Sequence, residues 1–496
     1  MRFASRGGLV LVRLLIAALA TGVVALVASS APASESAPAG TEEAVVRKGG
    51  DWTRFGYDAA RSNAGPAATG ITAANVRSLR RQRVVLEGTV DSSPIYLRGV
   101  RIGDRVRDAF FLMTSYGKTI ALAAASGKVL WRFTPPGYAS WAGSHMITQA
   151  SPVADPTRRF LYSVSPDGRI HKLSVSAGRE ADGWPVTLTR NPEREKIAPA
   201  LNFTRGLVLA ATGGYIGDAP PYQGHVAAID ARSRRIVGVW NSLCSDRSGL
   251  LAPASCPESG SAIWARSGVV VEPATGNLLV ATGDGRFDEQ RYWGDSVLML
   301  TAKAQRLLQN WTPRNQQELE EGDVDLGSTA PAPLGSGLAV QGGKDGLLRL
   351  LDLRRLNGRS AAGAVTGGEL QTVRTAGGLF STPAVWRSAG RTWLFVSTFS
   401  GTQAFALVGR RLRLVWRKGV GGTSPVIAGG LLYLYDPSGG GGLRILRPKT
   451  GAFVARLPAG PGHWNSPIVT DGRIALPEGD ANDRRRSGVL NIYRPR

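Results

Sequence analysis

A short phrase recurs along most of this chain of 496 residues: a hydroxyl residue and a proline, an apolar run, a Gly-rich turn, a second apolar run and often a Trp. The clearest copy runs from Ser93-Pro94 through Tyr116-Gly117-Lys118 and Ala121-Leu122 to Ser126-Gly127-Lys128-Val129-Leu130-Trp131. Self-similarity of this kind restricts the fold more than any single residue, because each unit must bury its apolar face against its neighbour. Openings of the phrase stand at Ser93-Pro94, Ser151-Pro152, Ala198-Pro199, Ser259-Gly260-Ser261, Ser328-Thr329-Ala330-Pro331, Ser381-Thr382-Pro383, Ser424-Pro425 and Ser466-Pro467. The apolar runs are short, such as Phe110-Phe111-Leu112-Met113 and Leu431-Leu432-Tyr433-Leu434, and Gly, Asn, Asp or Pro bounds each one. That is the signature of strands in hairpins. Short strands repeating in units of about 45 residues predict an all-β, eight-bladed β-propeller of four-stranded antiparallel blades.

The last unit is one strand short. After Ser466-Pro467 come Arg473-Ile474-Ala475-Leu476 and Val489-Leu490-Asn491-Ile492-Tyr493, and the first unit is preceded by an orphan strand-like run, Gln82-Arg83-Val84-Val85-Leu86. Pairing the N- and C-terminal strands would close the ring and remove an exposed sheet edge. The propeller is expected to span 51–496.

The N-terminus has a different character. Arg2, Arg6 and Arg13 precede an apolar stretch from Leu14 to Val27, which leads to Ala31-Pro32-Ala33. A basic segment, an apolar core and small residues describe a secretory signal peptide, here 1–33. Read leftward to Leu9, the same stretch offers an uncleaved anchor as the alternative. Residues 34–50, rich in Ala, Pro, Glu and Gly, read as a flexible lead-in. The chain is therefore expected to be exported, periplasmic or extracellular, with no integral span after cleavage. In an oxidising compartment Cys244 and Cys256, the only two cysteines, are expected to form one local disulfide.

A formal charge of +23 comes from 60 Lys and Arg against 37 Asp and Glu. The cations are scattered along turns and form no stripe of the kind that reads nucleic acid. Long-range attraction points instead to an anionic envelope polymer or an envelope protein as partner. His145, His171, His225 and His463 are isolated, with no metal-ligand spacing among them. Gly439-Gly440-Gly441-Gly442 lacks the Lys and helix of a phosphate loop and reads as a turn.

The repeats resemble the PQQ-binding-like β-propellers, the superfamily of quinoprotein alcohol dehydrogenases, whose repeat ends in Ala-x-Asp-x-x-Thr-Gly-x-x-x-Trp. Ala121, Ser126, Gly127 and Trp131 hold that frame, with Ala123 in place of the Asp; Ala228-Ile229-Asp230 before Trp240 is a second copy. Asp51-Trp52-Thr53-Arg54-Phe55-Gly56-Tyr57-Asp58 resembles the family's opening segment. The family holds both dehydrogenases, which bind pyrroloquinoline quinone with calcium or a lanthanide, and non-catalytic propellers that serve as interaction surfaces. The resemblance carries a fold; an activity must be argued from the site.

The segment from Ser261 to Ser296 is similar in order to the dehydrogenases' cofactor stretch. On that resemblance Trp264 is the stacking candidate, Arg266 beside it a cofactor or anion contact, Asp284 the metal-ligand position, and Asp323 and Asp325 the candidates for the catalytic acid. Hard oxygen ligands suit calcium, and a carboxylate could serve as general base. Three departures weigh against this. No two cysteines are adjacent, Asp284 replaces the usual Asn, and no Cys-x-x-Cys-His haem motif is present. The expectation is a non-catalytic, monomeric binding or assembly module of the cell envelope, without a cofactor. The alternative is a PQQ- and calcium- or lanthanide-dependent oxidoreductase acting on an alcohol or sugar. A carbohydrate-binding or lyase-like propeller, with funnel aromatics stacking on sugars, is a third reading.

Overall fold

The computed structural model describes residues 49–363 and 365–495. Eight four-stranded antiparallel sheets follow one another along the chain. They are the predicted blades: blade 1 over 95–133, blade 2 over 153–187, blade 3 over 202–241, blade 4 over 270–311, blade 5 over 332–374, blade 6 over 384–418, blade 7 over 426–457, and blade 8 over 468–494 with the early strand Arg80–Leu86. That early strand pairs antiparallel with Gly488–Arg494, from Arg80 opposite Arg494 to Leu86 opposite Gly488. The ring thus closes as the orphan run implied. The signal peptide and all but the last two residues of the lead-in lie outside the described residues. Among the described residues no helix is long and apolar enough to cross a membrane.

The recurring phrase has a mechanical explanation. In blades 1, 2, 5, 6, 7 and 8 the hydroxyl–proline step immediately precedes the innermost strand, so its polar groups face the central axis. There the hydroxyls tie blades together. Ser93 Oγ donates to the Ser466 carbonyl (3.0 Å), the Ser93 amide donates to Ser151 Oγ (3.1 Å), and the Thr382 amide donates to Ser424 Oγ (3.0 Å). Buried hydroxyls would be costly without such partners. Blade 4 departs from the expected register. Its innermost strand is Val270–Val271, well downstream of Ser259-Gly260-Ser261, because the intervening loop turns inward and carries Trp264 and Arg266.

The outer ends are locked by tryptophan. Trp131, on the outer strand of blade 1, donates from Nε1 to the Val175 carbonyl of blade 2 at 2.9 Å, and Gly178 of that blade lies flat against its ring. Trp416 of blade 6 repeats the arrangement on blade 7, with Pro448 as acceptor (2.8 Å) and Gly451 under the ring. Both glycines have left-handed φ (66° each), and a Cβ on Gly178 would fall 2.4 Å from the Trp131 ring. Cys244 and Cys256 are disulfide-bonded and pack with Leu243, Leu251 and Tyr292 beyond the outer strand of blade 3.

Residues 49–65, the last two residues of the lead-in and the start of the propeller segment, are tied to the ring. They thread across the innermost strands: Trp52 pairs with Tyr96, and the carbonyls of Thr53, Ala59, Ser62 and Asn63 accept from the amides of Ala154, Val271, Val385 and Ile427. Gly50 bonds Thr470 of blade 8. The buried Arg61 guanidinium donates to the carbonyls of Phe55, Ala200 and Leu201 (2.6–3.1 Å), which plugs the channel below the funnel.

Candidate functional site in the funnel

Because each innermost strand starts at the same end of the ring, the loops just before the strands converge there. They enclose a cavity of about 320 Å³, whose lining includes Gln149, Lys196, Trp264, Arg266, Lys344 and Trp464. That volume is at the lower end of small-molecule sites, about 300–1,000 Å³.

One wall is acidic and comes from blades 3 to 5. The Asp284 amide donates to Asp325 Oδ1 at 2.9 Å, and Tyr222 Oη donates to Asp284 Oδ2 at 3.0 Å. The Leu326 amide donates to Asp295 Oδ1 at 2.9 Å, which fixes the turn that carries Asp325. Burial, with the charges of Asp325 and Asp218 adding to it, pushes the Asp284 carboxyl up to about 7. Burial also pushes the Asp295 carboxyl up to about 8. Lys344 contacts both Asp325 Oδ2 and Asp323 Oδ1 (2.8 Å to the latter) and lies 6.0 Å from the centre of the Trp264 ring. Gly283 allows the close packing: a Cβ there would fall 2.9 Å from Trp264 and 3.1 Å from Asp325 Oδ1.

Two buried cations occupy the middle of the funnel. Arg266, 5% exposed, crosses from the blade 4 loop to donate from Nη2 to the Asp91 carbonyl at 2.8 Å, and its Nε is buried without a partner. Lys196, also 5% exposed, is held by a short ribbon in which Glu195–Lys196 pairs with Gly213–Gly214; its Nζ donates to Gln149 Oε1 at 3.1 Å. Desolvation lowers both, Lys196 to about 8 and Arg266 to about 10. Neither has a carboxylate within ion-pair distance. A buried cation whose partners are a carbonyl and an amide is poised for an anion.

The other wall is aromatic. Phe380, Phe399 and Trp464 form a stacked trio with ring centroids 5.7–5.9 Å apart, and His463 packs on Trp464 at 4.4 Å. Asp91, fully buried, accepts from His463 Nδ1 (2.8 Å) and from the Trp464 amide (2.8 Å).

The residues singled out by sequence are thus distributed. Trp264 and Arg266 line the cavity, while Asp284 and the buried Asp325 touch each other behind Trp264. Asp323 lies on the surface, its side chain 78% exposed, and serves Lys344. Cys244 and Cys256 lie outside the funnel lining. Lys196, Tyr222, Lys344 and the Asp91–His463 pair had no sequence signal of their own. A positional one was available: Gln149, Lys196, Phe380, His463 and Trp464 all stand just before a repeat opening.

Comparison with known proteins agrees with this architecture. The quinohemoprotein alcohol dehydrogenase ADH IIB of Pseudomonas putida is 26% identical over 290 residues, covering 55% of this chain and 38% of that protein. The chain therefore spans well under half the length of that curated relative. Among solved structures, quinohemoprotein alcohol dehydrogenase from Comamonas testosteroni aligns with a TM-score of 0.67 at 15% identity, over 90% of this chain and 80% of that one. A europium-containing methanol dehydrogenase gives 0.66 at 14%, over 90% and 98%. BamB from Moraxella catarrhalis gives 0.52 at 14%, over 84% and 99%. At these identities the solved structures share the fold. The family model described as outer membrane protein assembly factor BamB matches residues 117–457, and on that match the chain belongs to this family of PQQ-binding-like β-propellers.

Proposed function

We propose that the protein is a ligand-binding propeller of the cell envelope whose funnel takes a planar aromatic polyanion of the pyrroloquinoline quinone class. The observation that carries this reading is the convergence of Trp264, Lys344, Arg266 and Lys196 on one cavity, two of them buried cations without a carboxylate partner. An indole face offers stacking to a flat ring system, and the cations offer charge-assisted bonds to its carboxylates.

The residues present fit such an organic ligand and do not fit a metal beside it at Asp284 and Asp325. The Lys344 ammonium already sits on Asp325 Oδ2. Among the described residues, no third carboxylate, imidazole or thiolate joins Asp284 and Asp325 in a group compact enough for an ion. A bound quinone of this class would supply two-electron oxidising capacity. The chain's own residues bind and orient. Trp264 and Lys344 hold one side of the funnel, and Arg266 and Lys196 the middle. Asp325 is engaged on both oxygens, by the Asp284 amide and by Lys344. Burial brings Asp284, whose Oδ1 is buried without a partner, to about 7, where it can exchange a proton near neutrality.

The test is a calorimetric titration of the purified protein with pyrroloquinoline quinone in EDTA, with Trp fluorescence as second readout. Saturable one-to-one binding is expected, weakened about tenfold or more in Trp264→Ala and in Lys344→Met. Absence of heat and of quenching at about 100 µM ligand overturns the reading.

One observation favours a second reading, an assembly surface. The outer strand of blade 6, Arg411–Lys418, leaves Leu414 and Val415 exposed (49% and 44%) among arginines. An apolar strip on an outer edge strand suits an added strand from an envelope protein.

A further inference from the structure

Opposite the acidic wall, three chain segments from the two ends of the propeller bring side-chain donors to one point. His463 Nδ1 lies 2.8 Å from Asp91 Oδ2 and 3.2 Å from Asp480 Oδ1, and the three atoms lie within 4.8 Å of one another. Asp91 sits ahead of blade 1, His463 ahead of blade 8, and Asp480 within blade 8, so the blade 8 hairpin pairs the last two and ring closure adds the first. We infer that Asp91, His463 and Asp480 form a binding site for a divalent d-block cation of the zinc class at the rim of the funnel.

The spacing suits it. Zinc holds N and O ligands at about 2.1 Å, and a tetrahedron of that size has edges of about 3.4 Å. The two nitrogen–oxygen edges here are 2.8 and 3.2 Å, so the cage needs to open by only a few tenths of an ångström. The one Nδ1 hydrogen now faces two carboxylate oxygens, and a cation in its place gives each a full partner. The imidazole excludes calcium and magnesium, which take oxygen donors, and selects the borderline metals. Asp91 is fixed by the Trp464 amide on Oδ1 (2.8 Å), and Asp480 by the Asn482 amide on Oδ1 (2.8 Å), so both ligands are oriented beforehand.

A second observation points to a ligand at the same place. His463 and Asn482 line the cavity, which leaves the remaining coordination position open to the funnel. Beside it stands Arg266, nine-tenths buried, bound through Nη2 to the backbone carbonyl of Asp91 and with Nε unpartnered. An oxyanion in the open position would be shared between metal and guanidinium. The site does not depend on the quinone reading, because its donors lie apart from Trp264, Asp284, Asp325 and Lys344.

The experiment uses the untagged, EDTA-stripped protein titrated calorimetrically with zinc chloride, and with cobalt chloride while the visible spectrum is followed. One site per chain is expected, with a Kd of about 10 µM or tighter, and with the intense visible bands of tetrahedral cobalt. Asp480→Asn, which keeps the Asn482 contact, should weaken it tenfold or more with the melting temperature of the metal-free protein unchanged, and His463→Gln should weaken it at least as much. No binding at about 100 µM zinc, or affinity unchanged in both variants, overturns the assignment.

Discussion

The backbone amide of Asp284 donates to the side chain of Asp325 at 2.9 Å, joining two acids 41 positions apart on the wall behind Trp264. Their neighbour Asp295 holds the same turn through the Leu326 amide, and its carboxyl is pushed up to about 8, first by burial and then by the charges of Asp325, Glu320 and Asp284. An acid whose pKa is raised in the folded state keeps its proton there while the unfolded chain releases it above about 4. Stability should therefore fall as pH rises from about 4 to 8 and level off above that. Asp295→Asn retains the acceptor and tolerates the left-handed φ of 44°. Its melting temperature should exceed that of wild type by most at pH 8, with a gain of about 1–3 kcal/mol, and by least at pH 4.5. A constant offset across the range, read by scanning calorimetry, would contradict this account.

Much of this arrangement was legible beforehand, and its limits are physical. Ser-Pro steps, Gly turns and signature tryptophans record local requirements: a strand start on the axis, a left-handed turn, a ring docked on a glycine. Local patterns survive in sequence, so eight blades and their closure could be read. The order Trp264, Asp284, Asp325 was legible as a resemblance. Lys344 was not, because its meaning comes from a contact across blades. His463 looked isolated because its carboxylates lie 372 and 17 positions away; the first separation is removed by the closed ring and the second by the hairpin of blade 8.

Lys344 also serves the fold. The Asp325 side chain is fully buried, and Lys344 is the cation on it. Lys344→Met should cost about 1–3 kcal/mol, because it strands a buried carboxylate. Adding Asp325→Asn should recover most of that loss, whereas Asp323→Asn, at an exposed acid, should not. Urea midpoints of wild type, the three singles and the two doubles form the two required cycles.

Trp131 and Gly178 are a lock and its seat. Trp131→Ala removes a buried ring and the bond to Val175 and should cost about 3–5 kcal/mol. Gly178→Ala should destabilise as well, because its Cβ would fall 2.4 Å from the Trp131 ring at a φ of 66°. In the Trp131→Ala background the steric part of that penalty should vanish, leaving only the cost of the left-handed backbone. Equal penalties for Gly178→Ala in both backgrounds, by chemical denaturation, would show that the two residues are uncoupled.

The plug makes a prediction that reaches the innermost strands of four blades. Burial lowers the Arg61 guanidinium to about 9, so it remains charged at neutral pH while it caps three backbone carbonyls. Arg61→Met keeps the bulk of the side chain but leaves those carbonyls without a donor, at a cost of about 2–4 kcal/mol. Because the same segment accepts from the amides of Ala154, Val271, Val385 and Ile427, its loosening should appear as faster hydrogen exchange at those four positions together, in four separate blades. The amide of Val175, which lies beyond the plug's reach and donates to Arg159, serves as the reference and should stay protected. Faster exchange confined to blade 3, where Arg61 itself is bonded, would mean that the segment is held blade by blade and does not act as one staple.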